Sequence, residues 1–363
     1  MKKQQILRGC TALVSACAIL FGASRLPDAL WAKLGRTLAL ASVSLQQAEH
    51  TAERLSANLT RPTAHAAGNG TTLPSTLPNG AEQQPLIEPA APQNTQTATP
   101  PPENGSGGRV VEQIVGGGTT VAGISVKNKS GVAADIAKAL AADLPFNIKI
   151  GSDEPQVLIY HTHTTEGYMP YDAGYYNAGD VRRDDTYPDT VVAVGDALEA
   201  ELTAAGIKVI HDTTMYDYPQ YRGAYERSVV TMEEMLAKYP TIKVTLDIHR
   251  DGLMVNERDM LKPTVTVDGE KAAQLMLVCG VLSTDTLPHP AWEKNLSFAT
   301  KLQAALTARH PALCRPLSLT GARYNQYVTP GSLLIEVGSE GNTLEEATRS
   351  ARLLGQTLVE MWS

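Results

Sequence analysis

"QVLIYHT" (156–162) is an unbroken apolar run that ends in histidine. A strand with one wet face alternates apolar and polar residues. A run without alternation is expected of a strand buried on both faces, as in a parallel sheet covered by helices. Downstream, "DTVVAVGDALEAELTAAG" (189–206) has helical spacing, an aspartate at its start and Gly206 as a stop. "IKVIHD" (207–212) then reads as a strand, 221–240 as a helix, and "IKVTLDIHRDG" (242–252) as another strand. Two strands, "TVTVDG" (264–269) and "AQLMLVCG" (273–280), precede a helix over 292–310. "SLLIEVGSEGN" (332–342) reads as a strand and 343–362 as a closing helix, where Thr343 and Glu346 fit a capping box. Upstream, "VAADIAKALAAD" (132–143) reads as a short helix. Strands alternating with helices predict an α/β fold, a mostly parallel twisted sheet with helices on both faces. Sites in such sheets collect at the carboxyl ends of strands.

Three of these strands end in residues that bind metals or move protons. The first delivers His161 and His163, followed by Glu166; the second ends in His249 and Asp251; the third carries Glu336. In "HTTE", His163 and Glu166 lie three residues apart just past a strand and can curl onto one cation, which His249 would complete. Two histidines and a glutamate form a catalytic zinc set with one position open, and zinc makes water a nucleophile near neutrality. A separate carboxylate must still carry the proton. Glu336 suits that role, since the apolar residues before it predict burial and a raised pKa. His161 remains a rival ligand, because positions i and i+2 of a strand share a face. His211 is expected to be structural.

The N-terminus points out of the cytoplasm. Lys2, Lys3 and Arg8 precede an uncharged stretch, 9–23, closed by Arg25 and Asp28. Residues 1–25 therefore read as a cytoplasmic tip with a retained membrane anchor, or as a cleaved signal segment, and the rest as extracytoplasmic. Residues 26–57 carry a loose helical periodicity. Nine prolines between Pro62 and Pro102 lie among Thr, Gln, Asn and Gly; such a composition buries too little apolar surface to offset ordering, so 58–115 reads as a disordered linker. Residues 116–363 form the catalytic-sized domain. A net charge of −7 without a basic run argues against nucleic acid as a partner. Four cysteines are too few to build a disulfide framework, though Cys279 and Cys314 are able to pair outside the cytoplasm.

The pieces "VLIYHTHTTEGY", "DTVVAVGDALEAEL", "YERS", "TLDIHRDG", "RYNQ" and "LLIEVGSEGNTLEEA", in this order, resemble the stage II sporulation protein P (SpoIIP) family. The anchor and low-complexity stalk match as well. The resemblance implies a membrane-anchored cell-wall hydrolase, similar in fold to zinc N-acetylmuramoyl-L-alanine amidases and more distantly to zinc carboxypeptidases. It implies cleavage of the amide between the lactyl group of N-acetylmuramic acid and the first L-alanine of peptidoglycan, and in some members cutting of peptide cross-links. The family's place is septal thinning and engulfment, with a glycan-cleaving sporulation protein (SpoIID) and a membrane protein (SpoIIM) as partners. Carried onto this chain, it makes His163, Glu166 and His249 ligands of Zn2+ and Glu336 the base. Related wall amidases take their carboxylate ligand from the helix after the first strand, so Asp189 competes with Glu166. Arg250 and Arg323 are suited to stabilise an oxyanion or grip a stem-peptide carboxylate, or to form ion pairs with Asp251 or Glu340; "RYNQ" adds Asn325 as a substrate contact. The tyrosine-rich loop from Tyr168 to Tyr187 is long enough to line a substrate groove.

Overall fold

Two parallel blocks of strands meet along an antiparallel seam. The computed structural model describes residues 106–180 and 189–363. The anchor, the 26–57 segment, nearly all of the linker and the 181–188 part of the tyrosine-rich loop lie outside the described residues. Among those described, the main sheet runs β2 (Thr119–Val121), β3 (Ile124–Asn128), β10 (Leu317–Thr320), β9 (Leu275–Gly280), β11 (Gly331–Ser339), β6 (Val244–Asp251), β4 (Val157–Tyr160) and β5 (Val209–His211). Neighbours are parallel except at β2–β3 and β9–β11. The sheet is thus mixed, more so than the apolar runs predict. The seam has a local origin. β7 (Met260–Val267) and β8 (Glu270–Ala273) form an antiparallel hairpin, and after Gln274 alone the chain enters β9. Where two strands are expected, three form. β7 and β8 join β1 (Val110–Gln113) in a smaller sheet, so strand pairing begins before Gly116.

Helices α1 (Ile136–Ala141), α2 (Val191–Ala204), α4 (Trp292–Arg309) and α5 (Leu344–Trp362) share one core with the sheet, and α3 (Ala224–Lys238) joins another. Strand parity decides which side chain goes where. Val157 and Ile159 of β4 face the larger core with Leu198, Leu302 and Leu354; Leu158 and Tyr160 face Met232 of α3 and Ile242. Both faces of β4 are therefore dry, which is why "VLIY" shows no alternation. Each fully buried Leu or Ile contributes roughly 1.5–3 kcal/mol. Helices cover both faces, as expected, but unevenly: on the second face of β3, β10 and β9, Lys127, Ser318, Thr320, Met276 and Val278 line a cavity. The predicted capping box at Thr343 and Glu346 closes the start of α5. Thr190, not Asp189, caps α2. Cys279 and Cys314 are free thiols. Among the described residues no helix is long and apolar enough to cross a membrane.

Candidate active site

The face of the sheet that carries α3 also carries the chemistry. Asp247 and His249 of β6 alternate with Leu246 and Ile248, which point into the larger core. Glu336 of β11 pairs in register with His249 on the adjoining strand. Past Tyr160 the chain leaves the sheet and turns: Thr164 Oγ1 donates to His161 O at 2.8 Å, and Glu166 N donates to His163 O at 3.2 Å. That turn brings His163 and Glu166 together.

Glu166 sits between the two histidines. Its Oε1 is 3.2 Å from His163 Nδ1 and its Oε2 is 3.4 Å from His249 Nδ1. The histidine rings lie 4.9 Å apart between centroids and nearly perpendicular. One ligand atom from each of His163, Glu166 and His249 lies within 4.8 Å of the other two. Behind them, Asp247 Oδ1 is 2.9 Å from His249 Nε2, although the two lack the alignment of a hydrogen bond. Asp247 is itself fixed by Thr162, whose N and Oγ1 donate to it at 2.8 and 2.7 Å. Tyr221 and Tyr225 pack on the His163 ring at 4.4 and 5.5 Å.

The electrostatics favour a cation here. Burial alone would raise the Glu166 pKa, but hydrogen bonds with His163 and His249 and the Arg250 charge outweigh it and hold the group below the carboxylate range. Burial would lower the His249 pKa, yet Asp247 and Glu166 override it and hold the imidazole well above its ordinary value. Two buried acids thus demand positive charge at one point. Glu336 behaves oppositely: burial, reinforced by Glu166 and Asp251 against the pull of His249 and Arg315, pushes it up to about 8. Its Oε2 is buried with no hydrogen-bond partner.

Of the residues singled out from sequence, His163, Glu166 and His249 converge with Glu336 beside them, and others do not. His161 faces the opposite side. β4 ends at Tyr160, so the alternation expected to align His161 with His163 stops before either residue. His161 Nδ1 donates to Ile248 O at 2.9 Å, which leaves Nε2 to accept from His211 Nε2 at 2.8 Å. His211 turns its Nδ1 to Asp196 and Glu199. Asp189 is exposed, and its carbonyl accepts from Tyr168 N. The Arg250 guanidinium donates to Gly167 O at 2.9 Å and lies 4.0 Å from Glu340, while its backbone N–H donates to Glu166 Oε2 at 3.1 Å. Arg323 donates to Pro288 O and stacks on Tyr327. Asn325, buried, donates to Tyr225 O and Ser228 Oγ. Asp247, Tyr221 and Tyr225 were not anticipated. Asp247 was findable, since it precedes His249 by two residues in a strand; nothing in the sequence marks the tyrosines.

Comparison with known proteins adds kinship. Among solved structures, an N-acetylmuramoyl-L-alanine amidase from Clostridium difficile 630 is 14% identical, with a TM-score of 0.32 over 58% of this chain and 95% of that one. The N-acetylmuramyl-L-alanine amidase Ami1 from Mycobacterium smegmatis is 15% identical, with a TM-score of 0.35 over 60% and 99%. Stage II sporulation protein P of Bacillus subtilis (strain 168) is 28% identical over 221 residues, 58% of this chain and 52% of the relative. The chain thus spans about half the length of that curated relative. The sequence profile of stage II sporulation protein P (SpoIIP) matches residues 80–359, a span that runs from before β1 into α5 and includes the three converging side chains and Glu336, and the chain belongs to that family.

Proposed function

We propose that this protein is a zinc-dependent cell-wall hydrolase that cleaves the N-acetylmuramoyl-L-alanine amide of peptidoglycan during sporulation, in septal thinning and engulfment. The observation that carries the reading is the convergence of His163, Glu166 and His249 beside Glu336 in a member of this family. The donor set fits zinc: two imidazole nitrogens and one carboxylate, buried and close, in a pocket whose acids call for positive charge. When bound, zinc supplies Lewis acidity toward a carbonyl and toward water.

The chain's own residues do the rest. Asp247, 2.9 Å behind His249, adds negative charge there, as a carboxylate behind a metal-binding histidine does. The backbone N–H of Arg250 fixes Glu166 Oε2, so Arg250 is a positioning residue here. Glu336, with a raised pKa and a free Oε2, is the general base. It takes a proton from the attacking water and returns it to the departing alanyl nitrogen. We extend the reading to residues 1–25 as a membrane anchor that holds the domain outside the cytoplasm at the septum, with SpoIID and SpoIIM as partners.

The test joins metal content to product mass. The purified chain should hold one zinc, lose activity in chelator and regain it with zinc. Digested wall should show stem peptides with a new alanyl amino terminus. Products cut only within cross-links would reassign the site to an endopeptidase, and a metal-free chain that only binds wall would make it a scaffold.

A further inference from the structure

A cavity of about 450 Å³ opens beside Glu336 on the sheet face that β3, β10 and β9 leave to solvent. Its floor is apolar, with Met276 and Val278, but its charged lining is mostly cationic: Lys127, Lys129 and Arg315 against Asp251 and Glu336. Arg315 is unusual. It is only 7% exposed, and one nitrogen, Nη2, donates to Asp251 Oδ2 at 2.9 Å. Its Nε and Nη1 are buried without any acceptor. An unmade hydrogen bond at a buried donor costs roughly 1–3 kcal/mol, more for a charged group. A guanidinium in the cavity lining with two buried donors unpaired, beside two exposed lysines of the same lining, suits an anion.

We infer that this cavity is an anion-reading subsite that takes a carboxylate of the peptide on the amine side of the scissile bond. The inference rests on the amidase reading above. In that substrate the lactyl carboxyl is consumed in the amide, so the glycan side carries no charge at the cut, whereas the peptide side carries free carboxylates. Only the peptide complements Lys127, Lys129 and Arg315. Glu336 shares this lining with Met276 and Val278 of β9 and Ser318 and Thr320 of β10, so the peptide side would run along those two strands.

The test is binding by calorimetry to the full zinc-loaded chain. The probes are a free tetrapeptide with amino-terminal L-alanine and its counterpart with every carboxylate converted to carboxamide. The acid form should bind about ten-fold tighter or better, as a charge-assisted pairing implies. Arg315→Gln should erase most of that preference. Lys127→Glu with Lys129→Glu, on exposed residues that the fold does not need, should do the same while circular dichroism stays native. Equal binding of acid and amide by the unaltered chain overturns the subsite, as does a preference that survives both variants. Turnover separates this from the broader reading. Cleavage of a muramyl-peptide without acid preference sinks the subsite alone; acid preference without cleavage sinks the amidase reading and leaves an acidic-peptide site.

Discussion

Glu166 is the residue around which the others are arranged, and its two oxygens are already divided between His163 and His249. Binding and proton transfer should therefore separate by mutation. His163→Ala removes a ligand atom and should abolish both bound zinc and activity. Glu336→Gln keeps shape and leaves the ligands alone, so zinc content should hold while kcat falls by about 10²–10⁴. A Glu336→Gln chain that lost its metal would place that group among the ligands. Asp247→Asn is subtler. It keeps volume but removes the charge behind His249, and zinc affinity, titrated against a competing chelator, should fall about 10–100-fold. The four central residues were legible because each lies within an apolar strand or just past one, where a titratable group is out of place unless it has work. Asp247 is legible only through strand parity: inside "VTLDIHRD" it reads as one more strand position until the two-residue spacing puts it on His249's face. His161 misled for a complementary reason: pattern marks a strand but not the residue where it stops.

At the scale of elements, the contact of α2 with the sheet is made where a side chain is missing. A Cβ on Gly195 would lie 2.5 Å from His211 Nε2 and 2.7 Å from His161 Nε2. Gly195→Ala gains up to about 1 kcal/mol of helix propensity. Overpacking costs about 1–3 kcal/mol, and here the crowded atoms are rings fixed by hydrogen bonds, so the cost should win. Chemical denaturation should show Gly195→Ala less stable by about 1–2 kcal/mol. Gly174→Ala, whose new carbon meets nothing within 4 Å, should stay near the unaltered protein. Equal midpoints for the two would mean that α2 shifts freely. Most elements were readable because 3.6-residue and unbroken apolar patterns differ. The antiparallel seam was not, since apolar pattern records burial and carries no strand direction. The β7–β8 turn was half-visible: Asp268 and Gly269 both have positive φ, as a two-residue hairpin requires. "AQLMLVCG" nonetheless concealed a break at Gln274, whose side chain is engaged by Val115 and Ala312.

Across the whole described fold, Lys262 ties together segments far apart in the chain. It is 1% exposed, and its Nζ lies 2.6 Å from Asp172 Oδ1, 2.6 Å from Glu346 Oε1 and 3.5 Å from Glu112 Oε2. One ammonium thus joins β7 to β1, to the loop after β4 and to the first turn of α5. Burial opposes its charge, but Glu346 and Asp172 more than compensate and raise its pKa above 10.5. A lysine whose folded pKa lies above its unfolded value binds more protons folded than unfolded. Its contribution is therefore complete below about pH 10.5 and disappears as pH climbs through the folded value. Asp172 supplies the acid flank. Lys262 and Lys271 depress its pKa despite burial, so its share is present above about pH 3.8 and lost as pH falls below. Lys262→Met keeps the packing of the stem and leaves Glu346, 4% exposed, without its counter-ion. Breaking a buried pair from one side costs about 3–5 kcal/mol. The denaturation free energy of Lys262→Met at pH 7 should fall by about that much, and its decline above pH 10.5 should be shallower than that of the unaltered chain. A loss under about 1 kcal/mol at pH 7, the range of an exposed pair, would mean that water reaches this ammonium and that the three segments are held together by their apolar contacts instead.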